Sequence, residues 1–355
     1  MRPSRSILER SVVLKSTRRQ SLKSKGFFMR YLSGIQPSGN LHLGNYFGAI
    51  REHILSQKPG NEGFFFIANY HALTTEKDAT KIRKQSLEVA ATYLALGLDP
   101  KKSVLFLQSD VPQVHELAWF LSTIFPVARL ELQPSYKDKI SKGFEPHHAL
   151  FAYPMLMAAD ILIYNSDRVP VGKDQLPHVE LCRDAAQKFN LMYANGESLL
   201  KIPEAQIREE VAIVPGIDGE KMSKSYGNDI AIFAEGKALK TRVMSITTDS
   251  TPVEAQKNPE NCTVFKLFKL VGSEGEIQAL ADRYRAGGMG YGEAKKKLLD
   301  QINTYFEPSR EKYKALLKEE TQLLDILQDG GKKARAIAEE VMDRLRQKMG
   351  IIRTF

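Results

Sequence analysis

Gly63-Phe64-Phe65-Phe66-Ile67-Ala68 is apolar without a break. Successive side chains of a strand point to opposite faces, so a strand with one wet face alternates polar and apolar residues. A strand that is apolar at every position must be covered on both faces, which is the condition of a parallel strand inside an α/β sheet. The neighbouring segments fit that reading. Tyr31 to Ile35 is a short apolar strand upstream, and Ser103 to Leu107 is another downstream. Between the runs at 63–68 and 103–107, Asp78 can cap a helix that extends to Leu96 and stops at Gly97. Further helices are predicted from Val114 to Ile124, from His148 to Tyr164 and from Gln175 to Phe189, with a strand closing at Val171. From Tyr31 to about Asp229 the alternation argues for an α/β fold, a doubly wound parallel sheet of Rossmann-like type. Ligands of such sheets bind at the carboxyl ends of the strands.

Past Asp229 strand signals fade and amphipathic helices take over, separated by Thr247-Thr248-Asp249, by Gly287-Gly288-Met289-Gly290 and by Asp329-Gly330-Gly331. The expected organisation is a basic extension at 1–28, a catalytic domain at 29–235, a second, all-helical domain at 236–335, and a C-terminal helix at 336–355 that can pack back on the first domain.

A chain of 355 residues with 43% hydrophobic and 26% charged residues has the composition of a globular protein with a sizeable core. No apolar run approaches the length of a membrane-spanning helix. Cys182 and Cys262, far apart, support neither a disulfide framework nor a zinc site. The formal charge is +9, and residues 1–28 carry eight Lys/Arg against Glu9 alone, so +7 of it lies in that leader. A polyanion site in the remainder must therefore be a local patch. The leader, rich in Ser and Arg, reads as a dispensable basic tail or an upstream stretch from a misassigned start at Met29, with an organelle transit peptide as the alternative.

Two segments carry the chemistry. Lys221-Met222-Ser223-Lys224-Ser225 places two ammonium groups and two hydroxyls where they can surround one polyanion, and lysine is a mobile point charge able to follow a phosphate. Upstream, the strand Tyr31 to Ile35 runs into Gln36-Pro37-Ser38-Gly39, and a helix follows from about Leu43. Strand, tight turn and helix start make an anion site, because free backbone N–H groups and the helix dipole face the turn. Gly39 and Gly44 let a ligand approach the backbone, and His42 supplies a donor for charge developing on a phosphate. The bland readings are a solvated Lys/Ser turn and a satisfied half-buried histidine.

His42-Leu43-Gly44-Asn45 resembles the first signature of class I aminoacyl-tRNA synthetases, and Lys221 to Ser225 matches their second without a mismatch. With Gly34-Ile35-Gln36-Pro37-Ser38-Gly39 before it and Asn45 as its last member, the first signature is similar to that of the bacterial tryptophanyl-tRNA synthetases. The resemblance covers about 30 to 351 and includes Gly287 to Gly292 and Lys333 to Ala338. It implies activation of L-tryptophan with ATP, Mg²⁺ riding on the ATP phosphates, and transfer to tRNA(Trp). It also implies a cytoplasmic homodimer with no membrane, DNA or protein-bound metal. The apolar stretch Leu117 to Leu132, with Trp119, Phe120 and Phe125, is one dimer contact to consider, and it could equally be internal core.

Between the signatures, the apolar helix around Tyr153 to Leu162 carries one carboxylate, Asp160. Burying it is costly unless it accepts a hydrogen bond, while a solvated, outward-facing aspartate is the ordinary alternative. The resemblance implies that Asp160 accepts the indole N–H, that Met157 packs on the ring, and that Tyr153 and Gln175 hold the substrate ammonium. Indole only donates, so a buried acceptor suits it, and phenylalanine would leave that acceptor unpaired. In Val171-Gly172-Lys173-Asp174-Gln175, Asp174 suits a ribose diol or a simple helix cap, and Gly172 lets a nucleotide lie against the backbone. Lys173 stands where relatives more often have Glu. By resemblance, Lys139 reaches the distal phosphates, Ile213 offers backbone contacts to adenine, and His71 lies near the substrate. The alternatives are a tyrosyl-tRNA synthetase and a non-catalytic, synthetase-like RNA-binding paralogue.

Overall fold

The computed structural model of the protein describes residues 29–172, 175–207 and 214–354. Five strands form one sheet: β1 (Met29–Ile35), β2 (Asn61–Ile67), β3 (Ser103–Leu107), β4 (Arg168–Val171) and β5 (Glu204–Ile207). Their order is β3-β2-β1-β4-β5, and every pairing is parallel. Leu32 lies opposite Phe64, and Phe64 opposite Val104. Strand order reverses between β1 and β4, so a crevice opens at their carboxyl ends.

The uninterrupted run in β2 is buried on both faces. Phe65 and Ile67 belong to one core with Tyr93, while Phe64 and Phe66 pack on the other side with Phe106. The helix Ala79–Ala95 is capped as its sequence predicts, the Asp78 carboxylate accepting from the N–H groups of Thr80 and Lys81. Gly97, with φ of +111°, follows it in the left-handed region. The helices Gln113–Ser122, His148–Leu162 and Leu176–Ala194 cover the second face. The stretch 117–132 divides: Leu117, Phe120, Leu121, Phe125 and Leu130 are core, whereas Trp119 is 69% exposed beside exposed Val127 and Leu132.

The helical part consists mainly of Gly236–Met244, Thr263–Val271, Glu274–Ala286 and Tyr291–Lys318. Phe306 and Leu298 of the longest of these share the core of Phe65 and Tyr93. One expectation is corrected. Asp329-Gly330-Gly331 does not separate helices but lies within a single helix, Glu320–Met349. Glycine there is needed for close approach rather than for a cap: a Cβ on Gly330 would stand 1.9 Å from the Leu105 carbonyl oxygen of β3. The same helix is tied to Gln113–Ser122 by Arg346, whose Nε and Nη2 donate to the two carboxylate oxygens of Glu116 at 2.8 and 2.5 Å.

Candidate functional site

Both signatures lie beside the turn through which the chain leaves the end of β1. β1 ends at Ile35 and the chain turns through Gln36-Pro37-Ser38-Gly39, with Gly39 at φ +91°. His42 then starts a helix that continues through 43–55, and its backbone N–H donates to Asn45 Oδ1 at 3.0 Å. This start is laced to the segment that follows the lysine loop. Leu43 N–H donates to the Ile230 carbonyl and Ile232 N–H to the Leu41 carbonyl, each at 2.9 Å.

The lysine loop rises from a hairpin in which Met222 N–H donates to the Val214 carbonyl at 2.9 Å. Met222 is buried, and its Sδ accepts from Gly44 N–H at 3.3 Å. Gly44 has no room for a side chain, since a Cβ would lie 2.9 Å from His42 Nδ1. Lys224 Nζ donates to the Ser38 carbonyl at 2.9 Å, tying the lysine loop to the turn that precedes the first signature. Burial lowers the Lys224 ammonium below the usual lysine range, against the raising effect of Asp229 and Glu88. Lys221 is exposed, and the hydroxyls of Ser223 and Ser225 stand 3.2 Å apart.

His42 is buried, and its Nδ1 has no hydrogen-bond partner among the described residues. Desolvation, then the charge of Lys224, lower its affinity for a proton, with Asp229 opposing. An imidazole whose proton affinity is lowered beside Lys224 suits donation to a developing phosphate charge.

A cavity of about 360 Å³ adjoins this turn, lined by Gln36, His71, Tyr153, Met157, Asp160 and Gln175 among others. Asp160 is 1% exposed, which excludes the solvated reading. Its carboxylate accepts from His71 Nε2 at 2.9 Å, and from Gln108 Nε2 at 3.0 and 2.8 Å. No sequence motif marks Gln108. It is fully buried, and its Oε1 also accepts the N–H groups of Tyr70 and His71. The available signal was its place, a polar residue immediately after the apolar strand β3, at the carboxyl edge where doubly wound sheets bind ligands.

Tyr153 pairs through its hydroxyl with His178 Nε2 at 3.1 Å. Lys139 lines the same cavity as Asp160, its Nζ 4.4 Å from the centroid of the Tyr153 ring, and burial lowers its pKa. Gly172 borders the cavity too. Lys173, Asp174, Ile213 and the leader 1–28 lie outside the described residues. A larger cavity, about 580 Å³, runs along Gly39-Asn40-Leu41 towards Glu88, Asp229 and Tyr313, and contains none of the predicted side chains. No group of three or more His, Cys, Asp or Glu among the described residues could hold a metal ion.

Comparison with known proteins is consistent with this geometry. The family model for class I tRNA synthetases (W and Y) matches residues 25–307. The tryptophan–tRNA ligase of Campylobacter jejuni (strain RM1221) is 50% identical over 323 residues, spanning 91% of this chain and 100% of the relative. That of Fusobacterium nucleatum is also 50% identical, over 91% of this chain and 98% of its own. A crystal structure of the Campylobacter jejuni tryptophanyl-tRNA synthetase, complexed with ADP and tryptophan, superposes with a TM-score of 0.87, covering 91% of this chain and 100% of that one.

Proposed function

The chain belongs to the class I tRNA synthetases of the tryptophan and tyrosine family, of the bacterial tryptophanyl type, and from that membership we propose how its residues divide the work. It is an enzyme, a tryptophan–tRNA ligase, with ATP as its nucleotide substrate. The reaction has two steps. The tryptophan carboxylate attacks the α-phosphorus of ATP, the bond to the bridging oxygen breaks, and pyrophosphate leaves with that electron pair. A terminal ribose hydroxyl of tRNA(Trp) then attacks the carbonyl of the adenylate, and AMP departs.

In the proposed assignment Asp160 accepts the indole N–H, Met157 packs on the ring, and Tyr153 and Gln175 hold the ammonium group. His71 and Gln108 keep the Asp160 carboxylate aimed. The observation that carries the assignment is Asp160 itself, a buried carboxylate in a cavity beside the turn that precedes the first signature. Gln36, Pro37, Ser38, Gly44, Asn45 and Gly172 form the ATP cradle, with Lys173, Asp174 and Ile213 completing it on the ribose and adenine side. The ammonium groups of Lys221, Lys224 and Lys139 and the imidazole of His42 balance phosphate charge that grows in the transition state. Met222 and the Ser223 and Ser225 hydroxyls complete the loop, and Mg²⁺ enters with the ATP phosphates.

The helices from Gly236 to Lys318 are the proposed reader of the tRNA anticodon, while the helix Glu320–Met349, which runs through the expected boundary at 335, packs on the catalytic part. Exposed Trp119, Val127 and Leu132 are the proposed homodimer contact. No helix among the described residues is long and apolar enough to cross a membrane, and the cytoplasm is the proposed place of work. ATP–pyrophosphate exchange with each of the twenty amino acids tests the substrate assignment. Tryptophan alone should support rapid exchange, and equal exchange with tyrosine would overturn it.

A further inference from the structure

The chemistry assigned to Lys221 and Lys224 requires that their loop be held at a set distance from the helix start at His42. Packing anchors the loop at Met222 alone: Lys221 and Ser225 are exposed, and Ser223 and Lys224 only half-buried. The backbone of the lysine-bearing residues is fastened by a residue outside the run. Asn228 is 2% exposed. Its Nδ2 donates to both Asp218 carboxylate oxygens, at 2.9 and 3.0 Å, and to the Lys221 carbonyl at 3.1 Å. Its Oδ1 accepts the Ser223 N–H at 2.7 Å. One amide thus joins the turn before the loop to the loop's first and third residues, with both donor hydrogens in use.

The surrounding backbone is shaped to this side chain. A Cβ on Gly216 would lie 2.4 Å from Asn228 Cγ, so the hairpin can close over the amide only with glycine there. Ile217 N–H donates to the Asn228 carbonyl at 2.9 Å, fixing the residue from its main chain as well. Two residues further on, the chain is already laced to the first signature through the Ile230 carbonyl. Asn228 therefore stands between a fixed root and a sparsely packed loop.

We propose that Asn228 is a positioning residue for adenylate formation: it sets the backbone of Lys221 and Ser223, and through them the reach of the Lys221 ammonium to the ATP phosphates. The proposal rests on the reading of this loop as the phosphate-handling element. Loss of the amide should therefore appear in kcat, where misplaced charge is felt, and not in tryptophan affinity.

The test measures tryptophan-dependent pyrophosphate exchange and thermal melting for Asn228→Ala, Asn228→Asp, Lys221→Ala and the double variant Lys221→Ala/Asn228→Ala. Asn228→Asp keeps an acceptor for Ser223 but sets a carboxylate against that of Asp218. Both single Asn228 variants should lose about 10- to 100-fold in kcat, with the KM for tryptophan within about twofold of the parent. In the Lys221→Ala background, Asn228→Ala should cost little more, because the side chain through which it acts is gone. Fully additive losses, unchanged kcat with a lowered melting temperature, or a parallel rise in the KM for tryptophan would each overturn the proposal. Should Asn228→Ala fail to fold, Asp218→Asn reads the same clamp from its exposed side, where a severalfold fall in kcat is expected and none refutes it. A parent chain without tryptophan-dependent exchange would instead sink the functional reading. A parent that exchanges beside an Asn228→Ala variant of equal kcat sinks only the positioning role.

Discussion

Asp160→Asn is the most informative single change, because it keeps shape and removes only charge and acceptor capacity. Two internal donors already converge on this carboxylate, His71 Nε2 and Gln108 Nε2. The proposed substrate brings a third, the indole N–H. A carboxylate offers about four acceptor sites and can serve all three, whereas a primary amide has one oxygen and an NH₂ that would face donors. At least one donor must then go unmatched around a side chain that is only 1% exposed. A hydrogen bond to a charged group contributes about 1.5–3 kcal/mol, which corresponds to a loss of about 10- to 150-fold in kcat/KM for tryptophan. The effect on selectivity should be smaller than for a naked buried carboxylate. His71 and Gln108 already satisfy Asp160 when no indole is present, so phenylalanine leaves it only partly unpaired. Discrimination against phenylalanine through this contact should thus lie nearer the low end of what polar recognition delivers. The assay is pyrophosphate exchange with tryptophan and with phenylalanine, for parent and variant. A variant that keeps kcat/KM for tryptophan within about twofold would refute the reasoning, and a lowered melting temperature alongside would make Asp160 a structural anchor for His71 and Gln108.

Lys221→Ala and Lys224→Ala should each lower kcat for exchange well beyond any change in the KM for tryptophan, and an effect confined to the KM for ATP would assign them to ground-state binding instead. His42 has a proton affinity lowered by burial and by Lys224, from a reference value of 6.5. Its folded-state preference for the neutral form is fully present above about pH 6.5 and is lost as pH falls through the lowered folded value. The melting temperature of His42→Gln should therefore fall less than the parent's between pH 7 and 5, and parallel curves would contradict this. Gly330→Ala drives a Cβ to 1.9 Å from the Leu105 carbonyl oxygen. Backbone displacement on that scale costs about 1–3 kcal/mol or more, read as a lower denaturation midpoint, and an unchanged midpoint would mean the helix does not cross β3 so closely.

The features legible in the sequence were those with a local cause. An apolar run in β2 could only be a doubly covered strand, and Asp78 with Gly97 bracketed one helix almost to the residue. Features decided by distant partners were not legible. β5 is four residues of Glu-Ala-Gln-Ile at an edge, with Glu204, Gln206 and Ile207 exposed, so it carries no burial pattern to detect. Gly330 looked like a helix stop because nothing near it in sequence shows that Leu105, far upstream, lies against its backbone. In the candidate site, a lone carboxylate on an apolar helix and a pair of lysines pointed to Asp160 and to the lysine loop, and the structure buries the one and ties the other to the Ser38 turn. The role of Gln108 depends on the approach of the His148–Leu162 helix to the end of β3, which is a property of the fold.

The same distinction separates what is fixed from what can move in the site. The backbone at 41–43 is bonded at two points to 230–232, in a part of the chain where Leu43, Ile230 and Ile232 are buried in the common core. Breaking those bonds would expose that core, so the root of the lysine loop is as stable as the fold around it. The tip at 223–227 has much less to lose. It is held by the Asn228 amide, by the Met222 side chain, by Arg242 Nη2 donating to the Gly227 carbonyl and by one lysine contact with the Ser38 carbonyl. The Lys224 ammonium is incompletely compensated there, since burial lowers its pKa despite two nearby carboxylates. A polyphosphate entering the turn would offer that ammonium a stronger, charged acceptor than a neutral carbonyl. On the proposed role of Lys224, the Ser38 contact is the one a phosphate would replace, and replacing it requires no change in the Asn228 bonds or in the paired backbone beneath them.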